Sequence, residues 1–199
     1  GYSEMTLVTA DQAGLFAGVT GVFSACGLNI ANARIATSAD GVAIDTFRVD
    51  HATSEADATS AEVWERVRKV GEQALRNEVD VEALVLRARE AHILPASEIK
   101  ARRRAACNVE IDNDASCDHS VIDVYASDRT GLLFDLALAF MRLDLRVHVA
   151  KVNTYANQVM DIFYVSEPAG GPLAGEGRSQ EIRDVLLRTI EAPENTAVA

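Results

Sequence analysis

The sequence predicts an α+β protein made of two βαββαβ units, each an antiparallel sheet with both helices on one face. Three observations carry this expectation. The first is a repeat: D-Q-A-G-L at residue 11 returns as D-R-T-G-L at residue 128, and Phe23/Phe140, Leu28/Leu145, Ala33/Ala150, Arg34/Lys151 and Thr37/Thr154 keep the same 117-residue offset. Beyond the threonines the offset falls to 116, pairing Asp45 with Asp161, Phe47 with Phe163 and Val49 with Val165. One residue is lost where T-S-A-D-G-V-A becomes T-Y-A-N-Q-V, and a hairpin loop there tolerates it. The second is a switch of apolar period, from strand to helix to strand, in the same order in both copies. The third is Asp40-Gly41 between two apolar runs, a strong hairpin signal because glycine reaches positive φ without steric cost.

The elements follow in order. Apolar strands are expected over 5–9 and 121–126. Asp-x-x-Gly-Leu then opens a helix in each copy. Leu15, Val19, Val22, Phe23 and Cys26 form the apolar stripe of the first helix, and Leu132, Leu136, Ala139, Phe140 and Leu143 that of the second. A single stripe implies one face buried on a sheet. Gly27 is the expected C-cap, replaced by Asp144 in the second copy. Strands over 28–37 and 42–49 follow the first helix, and a weaker turn at Ala156-Asn157-Gln158 marks the matching hairpin. Thr59 and Glu62 have capping-box spacing before a helix with the stripe Val63, Val67, Val70 and Ala74, flanked by Trp64 and Leu75. Its counterpart, after the loop 168–172, carries Ile182, Val185, Leu186 and Ile190.

The expected division is a first unit over 1–79, closed by a strand near 105–112, then a helix and linker over 80–104. The second unit covers 113–199. The strand C-N-V-E-I from Cys107 is the fourth of the first unit, while the second unit has little chain left for one. This is the ferredoxin-like element order.

Composition narrows the function classes. The 199 residues are 48% apolar, enough for a core in each half, and carry a net charge of −11. That charge argues against nucleic acid, which needs a basic surface. The basic cluster Lys100, Arg102, Arg103 and Arg104 reads as a solvated linker face. No apolar run approaches about 20 residues, so no membrane span is expected. The start G-Y-S-E-M-T-L-V has no signal-peptide pattern and no initiator Met, which leaves room for a longer parent chain. Cys26, Cys107 and Cys117 lack zinc or C-x-x-C spacing and read as reduced cysteines of a cytoplasmic protein.

In their order, these motifs resemble ACT domains, small ligand-binding regulatory modules. The carriers are Asp-x-x-Gly-Leu followed by G-L-N-I-A-N-A-R-I, D-G-V-A-I-D-T-F-R-V, V-E-I-D-N-D-A-S, D-R-T-G-L-L-F-D-L and V-M-D-I-F-Y-V. Their arrangement is similar to the C-terminal tandem ACT region of the uridylyltransferase/uridylyl-removing enzyme family, glutamine sensors of bacterial nitrogen control. The resemblance covers about residues 4–190. It departs at Ala13 and Thr130, where proline is common, and at L-R-V-H, which stands in the second copy where L-N-I-A stands in the first.

The resemblance implies an amino-acid ligand, glutamine first, bound where the turn of one unit faces the early second strand of its partner. The expected site residues are Asp11, Gln12, Ala13, Gly14 and Leu15 with Asn29 and Ile30. Asp128, Arg129, Thr130, Gly131 and Leu132 come second. Helix N-termini suit a carboxylate, glycine permits close backbone approach, and asparagine offers donor and acceptor to an amide. Asp11 is open to two readings, partner of an α-ammonium or helix N-cap. The resemblance further implies catalytic domains of a parent chain and the PII signal protein as partners, with Mg only in those upstream domains. No catalytic residue, cofactor or metal is expected in this chain. His51, His92, His119 and His148 are scattered, no H-E-x-x-H or phosphate loop occurs, and Asp45 and Asp161 read as buried structural carboxylates. The competing classes are a protein-docking scaffold without a small ligand, an RNA-binding module and an autonomous enzyme.

Overall fold

The computed structural model describes residues 2–51, 60–91, 107–155 and 158–192. The first half runs β1 (Ser3–Ala10), α1 (Leu15–Ala25), β2 (Leu28–Arg34), β3 (Val42–His51), α2 (Ala61–Leu75) and α3 (Val81–Ala91). The second runs β4 (Asn108–Asp112), β5 (Ser120–Ser127), α4 (Leu132–Arg142), β6 (Arg146–Lys151), β7 (Thr154–Tyr155), β8 (Gln158–Ser166) and α5 (Gly175–Glu191). The strands form one antiparallel sheet in the order β1-β3-β2-β6-β8-β5-β4, with β7 paired to β8.

The repeat becomes a local two-fold. At the centre β2 meets β6, with Ala33 opposite Ala150, flanked by Asn32 opposite Lys151 and Arg34 opposite Val149. The ladder continues symmetrically through Ile35 N–H to His148 O (2.8 Å) and Val152 N–H to Ala31 O (3.1 Å). Both central alanines are fully buried. Each inner strand has a register shift, at Ile30/Asn32 and at Val147/Val149, again in equivalent places. Such bulges re-aim side chains locally. One apolar core spans the two halves, with Phe23 edge-on to Phe47 and Phe140 edge-on to Phe163.

Helix ends repeat as well. Gly27 (φ 76°) and Asp144 (φ 57°) both take the left-handed conformation after α1 and α4, as aspartate does more readily than most residues. The last carbonyls of those helices, Cys26 O and Leu143 O, accept hydrogen bonds from Arg66 and Arg178 of the following helices. Helix α2 begins after Ser60, which makes no side-chain cap bond; Thr59 lies outside the described residues, as do 156–157 of the weaker turn. At the stronger turn, Gly41 has φ 76° and its N–H donates to Ser38 O.

One expected pairing is overturned. The strand from Cys107 does not close the first unit: β4 pairs with β5, from Asn108 opposite Tyr125 to Asp112 opposite Val121. A seven-residue connection explains the choice, because neighbouring strands pair most cheaply through a short link. Asp112 Oδ1 accepts the N–H groups of Asp114 and Ala115 and tightens it. Val109 enters the core, and Arg183 of α5 donates to its carbonyl. The second half thus takes its fourth strand from the segment that precedes β5. Its counterpart edge, beside β1, has no strand among the described residues. The expected α2 stripe is correspondingly less buried: only Val67 is fully covered, whereas Ile182, Leu186 and Ile190 of α5 all are.

The helix anticipated between the repeats forms as α3 and lies across α1 and the start of α4. Val85 is completely buried. Val81 sits where a Cβ on Gly21 would be, 2.4 Å away, and Val85 crowds Gly131 in the same manner.

Candidate functional site

The second Asp-x-x-Gly-Leu turn and the start of β2 come together across the junction. Between them is a cleft with about 470 Å³ of empty space, part of it open to solvent. Asn29 and Ile30 with Leu28 form one wall. Asp128, Arg129, Gly131, Leu132 and Leu133 form the facing one. Thr20 and Ser24 of α1 contribute hydroxyls, and Val152, Val159 and Asp161 complete the lining. Asn29 is exposed between buried Leu28 and Ile30, so alternation on β2 turns its amide away from the core.

Gly131 is the N-cap of α4 in the left-handed region (φ 74°), as Gly14 is for α1 (φ 79°). Neither helix has a side-chain cap, so Asp11 is not an N-cap. It accepts from Thr37 Oγ at 3.0 Å instead, tying the turn to the connection that follows β2.

The turn of the second half is held from behind. Arg89 of α3 donates from Nε to Thr130 O (3.0 Å) and from a terminal nitrogen to Gly131 O (3.3 Å) and Asp135 Oδ2 (2.7 Å). Arg129 meets the same carboxylate oxygen at 2.5 Å and donates to Thr189 O at 3.1 Å. All three side chains are at least nine-tenths buried. Two guanidinium groups around one carboxylate leave excess positive charge beside the turn.

The two halves differ where a ligand would enter. Met141 stands at the position equivalent to Ser24, and its sulfur lies 2.7 Å from where a Cβ on Gly14 would be. A thioether therefore covers the first turn, while the serine of the other groove leaves room. Arg146 likewise replaces Asn29.

The expected site residues thus regroup. Asn29 and Ile30 join Asp128, Arg129, Gly131 and Leu132; Thr130 contributes its carbonyl to Arg89 rather than lining the cleft. Gln12, Ala13, Gly14 and Leu15 border a different space, an apolar groove between β1, α1 and α2 lined by Met5, Leu7, Val19 and Trp64. Asp11 lies in neither lining.

The two carboxyls paired by the repeat, Asp161 and Asp45, are both pushed up. Burial raises Asp161 to about 7, against one backbone N–H from Asn153, with the Asp128 charge adding to the rise. Burial raises Asp45 to about 6, opposed by the Ala36 N–H and aided by Asp11. Thr20, Ser24 and Asp161 were not among the expected site residues, although the Asp45/Asp161 pairing in the repeat pointed at the third.

Fold and cleft define a tandem ferredoxin-like module with a small, half-polar cleft at the junction of its halves. The chain is homologous through nearly its whole length to the C-terminal region of bifunctional uridylyltransferase/uridylyl-removing enzymes. It is 31% identical over 191 residues to that enzyme of Azospirillum brasilense, covering 96% of this chain, and 32% identical over 201 residues to that of Gluconobacter oxydans (strain 621H), covering 98%. The chain spans about a fifth of the length of these relatives (20% of each). No family model matches it.

Proposed function

We propose that this chain is a regulatory, non-catalytic tandem ACT module that senses an amino acid, glutamine first, and controls uridylyltransferase and uridylyl-removing activities carried elsewhere in a parent enzyme. The observation supporting it is the cleft in which the Asp128–Leu132 turn faces Leu28–Ile30, the cross-unit arrangement that ACT ligands use. Gly131 permits backbone approach at the helix N-terminus, the doubly paired Asp135 leaves positive charge nearby for a carboxylate, and Asn29 answers a side-chain amide. Binding at a junction shifts the arrangement of the halves only to the extent that affinity differs between arrangements. Helix α3 is the transmitter, because Arg89 grips the binding turn while the helix leads into the segment between the repeats.

Calorimetry with the twenty amino acids tests the reading. Glutamine is expected to bind one site per chain; binding of none of the twenty refutes it. A second reading, docking of PII or of the catalytic domains, is favoured by the apolar groove beside β1, where Met5, Leu7 and Trp64 are incompletely covered. Pull-down with PII in the absence of any amino acid distinguishes it.

A further inference from the structure

Asp161 does more in this cleft than the fold requires of it. Its residue is 1% exposed, and one carboxylate oxygen accepts the Asn153 N–H. The same bond joins Asp45 Oδ1 to Ala36 N–H (3.3 Å) in the first half, so the repeat uses this aspartate to tie down the chain after the inner strand. That tie accounts for one oxygen. Asp161 Oδ1 is buried with no hydrogen-bond partner, as Asp45 Oδ2 is in the first half, but of the two only the Asp161 side chain lines a cleft. An unmatched buried acceptor costs free energy that a ligand donor would recover.

We propose that Asp161, with the Asp128 carboxylate beside it, is the seat for the ammonium group of the ligand. This rests on the amino-acid reading and deepens it by assigning which end of the amino acid lies where. The ammonium faces Asp161 and Asp128, so the carboxylate is left for the α4 N-terminus at Gly131. The charged residues lining the cleft are Asp128, Arg129 and Asp161. Arg129 is engaged by Asp135 and Thr189 O, so it does not neutralise the seat. The empty cleft holds Asp161 protonated over much of the neutral range, because burial and the Asp128 charge both favour the neutral carboxyl. An arriving ammonium favours the carboxylate instead, and the carboxyl proton passes to solvent. Ligand binding therefore releases a proton and weakens as pH falls below about 7.

The specificity follows. Glutaramate, which is glutamine without its amino group, brings a carboxylate and no cation to two acidic groups and is excluded. 4-Aminobutanamide, which lacks the carboxylate, retains the seat and binds weakly.

Calorimetry at pH 6.5 in two buffers of different ionisation heat counts released protons for the wild-type chain and for Asp161→Asn, with Asp45→Asn as the control in the other half. The expected result is proton release by wild type and Asp45→Asn, none by Asp161→Asn, and a roughly ten- to hundredfold loss of glutamine affinity in Asp161→Asn alone. Unchanged affinity and proton release in a folded Asp161→Asn overturns the seat while leaving amino-acid sensing intact. If the wild type binds no amino acid, the sensing reading fails. Methylammonium then decides the seat by carbon NMR of the Asp161 carboxyl: a saturable shift absent in Asp161→Asn supports it, and no shift overturns it.

Discussion

Truncating Arg89 to alanine tests how α3 is joined to the 128–132 turn. The side chain supplies one charged hydrogen bond, to Asp135 at 2.7 Å, and two to backbone carbonyls of the turn at 3.0 and 3.3 Å. A buried hydrogen bond to a charged group contributes about 1.5–3 kcal/mol and a neutral one about 1 kcal/mol. Asp135 keeps Arg129 at 2.5 Å, so the full cost of orphaning a buried charge, about 3–5 kcal/mol, is not reached. With the two long carbonyl bonds counted at the low end, about 0.5 kcal/mol each, a loss of roughly 3 kcal/mol follows, or about 6–12 °C in Tm for a chain of this length. Urea unfolding of wild type, Arg89→Ala, Asp135→Ala and the double variant measures it. The double variant is expected to lose at least 1 kcal/mol less than the two singles together, since both remove one shared bond. A loss below 1 kcal/mol for Arg89→Ala, or strict additivity, refutes the argument that this network fastens α3 to the turn.

Further expectations follow from other positions. Asp161→Asn is expected to stabilise the empty chain at pH 8. The folded state raises the Asp161 pKa to about 7, so its stability contribution is full below about pH 4 and declines up to about pH 7. The gain is up to about 4 kcal/mol at pH 8 and vanishes near pH 4, as denaturant unfolding at the two pH values would show. Gly21→Ala places a methyl 2.4 Å from Val81 Cγ and 2.8 Å from Phe134; α3 must shift, at a cost of about 1–3 kcal/mol by thermal unfolding. Asn29→Ala should weaken glutamine binding about ten- to hundredfold, and Arg146→Ala much less, because Asn29 lines the cleft and Arg146 does not.

Much of the architecture was legible because the chain states it twice. The constant offset anticipates equivalent strands, helices and glycine turns, and the structure turns it into a two-fold between Ala33 and Ala150. Asp40-Gly41 and Gly27 are local signals whose φ requirements need no tertiary partner. The pairing of β4 was not legible, since C-N-V-E-I has the same alternation whichever edge it joins. Nor was the ion-pair network: Arg89 looks like an ordinary helix charge until Asp135, 46 residues later, is placed against it.

The parts of the candidate cleft were legible in the sequence. Asn29 and both turns were visible as residue types, and the resemblance implied a turn of one unit against the early second strand of the other; the fold shows which turn keeps an open cleft beside β2. A single exchange, Ser24 against Met141, decides which groove stays open, and small against large at one helix position carries no functional signal by itself. Asp45 and Asp161 were both read as structural, and each has one buried oxygen without a hydrogen-bond partner; the distinguishing fact is that only Asp161 lines the cleft, which depends on every neighbour around it.

The most direct test of the central claim is a glutamine titration followed by amide NMR on the isotopically labelled chain. The account predicts one saturable site, with the largest shifts at Asn29, Ile30 and 128–133, smaller ones along α3, and little change at Gln12–Leu15 beside the Met141-covered turn. Absence of saturable shifts, or shifts centred on residues 11–15 with Asn29 and Gly131 unmoved, would contradict it.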